Sequence, residues 1–144
     1  MSHVARVIFD TSTLVGAMLM VDSIPHHALG RALASTQLCA SPATLAELEH
    51  VIARRKFDRY LALDVRRAFL AMVRANTRLF GVPDTEEAAV DPPCRDPRDN
   101  KFLALARACG AEVLVSSDAD LLALHPWHDV SVLAPAAFLA LFEK

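Results

Sequence analysis

Aromatic residues are scarce in this chain: they make up 6% of it, with one Trp and one Tyr. A core built on aromatic packing is excluded, and Leu, Val and Ala must supply most of the 53% hydrophobic content. The same scarcity removes the interleaved rings on which sequence-tolerant single-strand binders stack bases. No apolar run approaches the length of a membrane span, so no membrane partner is expected. The opening Met1-Ser2-His3-Val4-Ala5-Arg6 runs straight into a strand pattern and lacks a secretory signal. Cysteines are few, at 39, 94 and 109, with no CxxC pair. Free thiols in a reducing, cytoplasmic setting are the expectation. Net charge is nearly absent, at −2. That argues against broad nonspecific nucleic-acid binding, though it leaves room for a basic patch beside an acidic site. A P-loop and a G-x-G-x-x-G fingerprint are both missing, so nucleotide-dependent chemistry has no support. There is no internal repeat, and 144 residues fit a single domain spanning 1–144.

What is present is alternation. Val4 to Phe9 is short, β-branched and reads as a buried strand ending at Asp10. Thr11 or Ser12 can cap a helix over Leu14 to Met20. Ser23 and Pro25 start a second helix, and Gln37 to Ala40 is a second strand. Ser41-Pro42 opens a strong helix, with Leu45, Leu48, Val51 and Ile52 on one face. Another helix follows from Asp64, with Val65, Phe69, Met72 and Val73 inward. Arg78 to Val82 is a third strand, and Pro83 to Pro97 reads as a surface loop. A helix from Asp99 to Cys109 stops at Gly110. Strands at Glu112–Ser116 and Val130–Leu133, a helical turn from Asp118 and a terminal helix from Pro135 complete the chain. The fold class is therefore α/β, with a mostly parallel sheet of about five strands covered on both faces.

In such sheets, sites form beyond the carboxyl ends of the strands. Asp10 directly follows the first strand, and Asp118, with Asp120 close behind, follows another. Glu47 lies in the first two turns of the Ser41-Pro42 helix, and Asp99 in the first turn of a later one. Carboxylates gathered without cationic partners repel one another and raise each other's pKa, a conflict that a divalent cation removes. Hard oxygen ligands suit Mg²⁺ or Mn²⁺ rather than zinc. Such an ion activates water and stabilises charge on a scissile phosphate, and a second can clamp the leaving oxygen.

Four stretches carry a resemblance that covers nearly the whole chain: Val7-Ile8-Phe9-Asp10-Thr11-Ser12, Ser41-Pro42-Ala43-Thr44-Leu45-Ala46-Glu47, Cys94-Arg95-Asp96-Pro97-Arg98-Asp99-Asn100-Lys101-Phe102, and Leu114-Val115-Ser116-Ser117-Asp118-Ala119-Asp120. In order and spacing together they resemble PIN-domain proteins, the nuclease fold of VapC-type toxins in bacterial type II toxin–antitoxin pairs. The resemblance implies a PIN-like three-layer α/β/α sandwich and Mg²⁺- or Mn²⁺-dependent endoribonuclease activity. It carries Asp10, Glu47, Asp99 and Asp118 over as metal ligands and catalytic residues, with Asp120 as a helper. It also implies an RNA substrate, a cognate antitoxin that blocks the site, and a homodimer. One position departs: the family usually has Asn two residues after the first Asp, and here Ser12 stands there with shorter reach.

Each acid also has an ordinary reading. Asp10 and Asp118 can be caps, Asp99 can favour a helix N-terminus, and Glu47 can be solvated. Thr11, Ser12 and Ser116 are placed to support the acids. Arg54, Arg55, Lys56 and Arg59 form a basic cluster, followed by Arg66, Arg67, Arg74 and Arg78. They are either a solvated helix face or a phosphate-contacting rim, to which Lys101 would belong. His26-His27 and His125-Pro126-Trp127-His128 lack the grammar of a zinc site and read as loop histidines. Trp127 reads as an edge or dimer contact. The main rival to a nuclease is a catalytically weak or inactive module that only binds RNA or a partner. A phosphatase using Asp10 as nucleophile needs a second Asp where Ser12 stands.

Overall fold

The computed structural model describes residues 4–143, so Met1-Ser2-His3 of the opening segment lies outside it. Five strands form one all-parallel sheet: β1 (Arg6–Phe9), β2 (Gln37–Ala40), β3 (Thr77–Leu79), β4 (Val113–Val115) and β5 (Ser131–Leu133). Their order is β3-β2-β1-β4-β5. β1 is thus central, with Val7 paired to Leu38 on one side and to Val113 on the other. Central parallel strands are buried on both faces, which is why Val7-Ile8-Phe9 and Val113-Leu114-Val115 are unbroken apolar runs.

Side chains alternate between the two faces. Val7, Phe9, Leu38, Val113 and Val115 meet helices α1 (Thr11–Leu19), α2 (Ile24–Ser35), α3 (Pro42–Ile52), α4 (Leu63–Asn76) and α8 (Pro135–Ala140). Ile8, Cys39, Leu114 and Val132 meet α6 (Asn100–Cys109), which packs against α5 (Asp84–Ala88). The result is a three-layer α/β/α sandwich. A short α7 (Ala119–Leu122) follows β4. No helix among the described residues is long and apolar enough to cross a membrane.

The caps place the helix starts. Ser41 and Thr44 form a reciprocal capping box, with Pro42 in the first turn of α3. Ser23 caps α2 as expected. α1, however, begins at Thr11, and its cap is Asp10, whose carboxylate accepts the Thr13 N–H at 3.0 Å. Neither Thr11 nor Ser12 is the cap. α6 ends at Gly110, whose φ of 67° is the left-handed conformation that favours glycine.

Several expectations change. The Pro83–Pro97 stretch is not a plain surface loop: it contains α5, and a 3₁₀ turn at Pro97–Asp99 follows. Cys94 within it is buried, its N–H held by the Asn100 side chain at 2.7 Å. The Trp127 indole donates to the Pro92 carbonyl at 2.9 Å, and Trp127 is itself buried, so it is a core residue rather than an edge or dimer contact. In α4, Phe69, Met72 and Val73 pack on the core as expected, but the inward position in the first turn is Arg66 rather than Val65. Arg66, Leu70 and Val73 are buried at i, i+4 and i+7, while Val65 is exposed. Arg66 therefore belongs neither to a solvated face nor to a phosphate rim.

Candidate active site

The topology delivers four carboxylates to one edge. Asp10 ends β1 and Asp118 follows β4, the strand beside it. Glu47 is on α3 after β2, the other neighbour of β1, and Asp99 stands at the start of α6. All four line one open cleft together with Thr11, Ser12, Arg54, Lys56, Asp96 and Arg98.

Asp10 is the most deeply set, at 3% exposed. Its Oδ2 accepts the Ser116 hydroxyl at 2.5 Å, and its Oδ1 accepts the Thr13 N–H. Ser116 Oγ in turn accepts the Asp118 N–H at 2.9 Å, so one hydroxyl ties the ends of β1 and β4 together. Burial pushes the Asp10 carboxyl above its ordinary value, against the lowering effect of these donors. The Asp118 carboxylate caps α7 by accepting the Asp120 N–H at 3.0 Å. Asp120 contributes that N–H, and its carboxyl does not line the cleft.

Asp99 is different. It precedes α6 but makes no side-chain capping bond. Its carboxyl is pushed up to about 7, first by burial, then by the Asp118 carboxyl against it, with Asp96 and Asp10 adding repulsion. Two acids so close cannot both ionise freely. Among the described residues, Asp10, Asp99 and Asp118 are in no ion pair.

Glu47 departs from the expected picture of unpartnered acids. Lys101 Nζ lies 2.7 Å from its Oε1, and the Thr11 hydroxyl donates to Oε2. Lys101 is thus paired with one of the four acids, although it does not itself line the cleft. Arg54 and Lys56 reach the cleft wall from the α3–α4 loop, while Arg55 and Arg59 are exposed and do not line it. Ser12 reaches Asp10 only at 3.4 Å.

Asp96 and Arg98 also line the cleft, and the residue-level reading had not singled them out. They form a salt bridge at 2.9 Å, and Asp96 caps the 3₁₀ turn that delivers Asp99. The signal was Asp96-Pro97, a cap followed by Pro. The histidines are elsewhere. His125 Nδ1 accepts the Val132 N–H, and His128 Nε2 meets the Asp91 carbonyl, both as loop fasteners. His26 and His27 lie in the first turn of α2 beside Asp22, with one ligand atom of each of the three within 4.8 Å, and none of the three lines the cleft.

The donor set is carboxylates only, the kind a hard divalent cation takes, with the Asp99 carboxyl raised by its acidic neighbours; among the described residues, no three of these acids bring ligand atoms within 4.8 Å of one another. The repulsion also gives a pH expectation for chelator-treated protein. Asp99 takes up its proton near 7 in the folded state and near the ordinary 3.8 when unfolded. Between those values the folded state binds more protons, so stability rises as pH falls from about 8 to about 5. The melting temperature of the wild type relative to Asp99→Asn should therefore climb through that window. A constant difference would contradict the close approach of Asp99 and Asp118.

Residues 6–120 match the family profile described as the PIN domain. No curated protein matches the sequence. Among solved structures, the chain is similar to VapBC2 from Rickettsia felis bound to a DNA fragment from their promoter, at 12% identity and TM-score 0.63, over 88% of this chain and 96% of that one. It is similar to FitAcB from Neisseria gonorrhoeae at 18% identity and TM-score 0.58, over 90% and 98%. It is also similar to Mycobacterium tuberculosis VapC20, described as a sarcin–ricin loop cleaving toxin, at 19% identity and TM-score 0.55, over 79% and 91%. At these identities the likeness is one of fold.

Proposed function

The chain belongs to the PIN-domain family, and from that premise we propose that it is a Mg²⁺- or Mn²⁺-dependent endoribonuclease, acting as one domain and as the toxin of a toxin–antitoxin pair. The observation that carries the reading is the convergence of Asp10, Asp99 and Asp118 on one open cleft, with Asp10 buried and the Asp99 carboxyl raised by burial and by Asp118. Among the described residues, none of these three acids is in an ion pair.

When bound, the ion supplies positive charge to the scissile phosphate and acidifies water. The chain's own residues do the rest. Asp10, Asp99 and Asp118 would hold the ion, and Glu47 completes the acidic wall. Ser116 and the Thr13 N–H hold Asp10 in one orientation, which spares the site reorganisation during reaction. Thr11 fixes Glu47. Arg54 and Lys56 line the same cleft and suit the flanking phosphates of an RNA strand, with Arg55 and Arg59 further out. The similarity to VapBC2 and FitAcB supports an antitoxin as partner; a homodimer in the cytoplasm belongs to the same proposal.

A second reading has one observation behind it: Ser12 reaches Asp10 only at 3.4 Å, too long to orient it firmly. On that reading the protein binds RNA or a partner without cutting. Purified protein incubated with an end-labelled structured RNA in Mn²⁺, with and without chelator, separates the two. Chelator-sensitive cleavage is the expected result. Metal uptake by calorimetry without cleavage would move the assignment to the binding module.

A further inference from the structure

We propose that Lys101 is a built-in counter-ion for Glu47 that limits the acidic cleft to one divalent cation. The inference rests on the metal-nuclease reading above and concerns how that site is filled. Four free carboxylates around one cleft are a donor set able to draw two ions some 4 Å apart. Here one of the four has been neutralised from within.

Both oxygens of Glu47 already have donors, Lys101 Nζ at 2.7 Å on Oε1 and the Thr11 hydroxyl on Oε2. The pair is not a loose surface contact: the Lys101 and Glu47 side chains are 17% and 25% exposed. Thr11 is buried, and it adjoins Asp10. The pair also joins α6, which follows Asp99, to α3. An ammonium this enclosed interacts with its neighbours more strongly than a solvated one. A second divalent cation seated at Glu47 would have to expel the ammonium or sit against it. Either is unfavourable, because the ammonium is held against Glu47 at 2.7 Å and is only 17% exposed. Asp10, Asp99 and Asp118 have no such counter-charge. The unresolved negative charge is therefore localised on those three, and one divalent ion is enough to balance it.

Mn²⁺ stoichiometry measured by isothermal titration calorimetry on wild type, Lys101→Arg, Lys101→Gln and Lys101→Met protein tests this. One ion is expected for wild type and Lys101→Arg, and two for Lys101→Met. Lys101→Gln, which keeps a donor but not the charge, should also admit the second ion, and it serves if the Met variant does not fold. In thermal unfolding, the two neutral variants should melt lower than wild type in chelator and gain more from added Mn²⁺. Two ions in the wild type would overturn the inference and leave the nuclease reading standing. So would a single ion, bound with unchanged affinity, in both neutral variants. No divalent cation bound by the wild type would overturn both.

Discussion

Asp10→Asn is expected to lower RNA cleavage by roughly 10³-fold, about 4 kcal/mol of barrier, while leaving the melting temperature of chelator-treated protein unchanged or higher. The two halves of this result come from two jobs that one carboxylate performs. As the cap of α1, Asp10 offers Oδ1 to the Thr13 N–H. Asn caps about as well as Asp, so that job survives. The Ser116 hydroxyl, which now donates to Oδ2, can rotate and accept from the new amide. What disappears is the charge, and burial already disfavours it, as the raised carboxyl pKa indicates. Losing it costs the fold nothing. The cleft, by contrast, loses the most deeply held of its acids. An Asn variant that still cleaves would remove Asp10 from the site, and one that unfolds would make its role structural. Cleavage on an end-labelled RNA and a thermal melt in chelator read out both.

The sheet was legible because its strands are short apolar runs closed by turn residues, and Asp10 and Asp118 were legible because an acid at a strand end in a parallel sheet can point only to one edge. Their adjacency followed from β1 and β4 being neighbours, which the sequence suggested only as a condition. The partnership of Glu47 with Lys101 was not legible. It joins residues 54 positions apart, and Lys101 looks like any polar residue in the first turn of a helix. The cap of α1 was misplaced by one residue, because Asp, Thr and Ser all cap and three of them stand in a row at 10–12. At α4, periodicity held for Phe69, Met72 and Val73, which pack on the core, and failed for Val65, which is exposed. A hydrophobicity pattern has no way to place an arginine inside. Only the loop before α4 explains it, since that loop presents carbonyl oxygens that a guanidinium alone can gather.

Arg66→Ala is expected to destabilise the protein by about 3–5 kcal/mol, the cost of breaking a buried charged network, and to lower the melting temperature by roughly 10–15 °C for a chain of this size. Arg66 is fully buried. Its Nη1 donates to the carbonyls of Ile52 at 2.5 Å and Arg54 at 3.2 Å, and its Nε to Leu61 at 2.9 Å. Nη2 pairs with Asp58. The carbonyls carry most of the effect. Asp58 is 62% exposed, and such a partner contributes at most about 1 kcal/mol, so Asp58→Ala should be mild. Arg66→Met should be nearly as damaging as Ala, since the methionine fills volume but leaves the Ile52 and Leu61 carbonyls without that donor, while the Arg54 carbonyl keeps the Phe57 N–H at 3.1 Å. The consequence reaches the cleft, because the segment stitched down by Arg66 carries Arg54 and Lys56. At a temperature where the variant remains folded, Arg66→Met should bind Mn²⁺ like wild type but show a raised KM for RNA, with kcat less affected. A variant whose melting temperature falls while KM stays constant would mean that Arg54 and Lys56 do not touch the substrate. A variant whose metal stoichiometry also changes would mean that the acids are not independent of this loop.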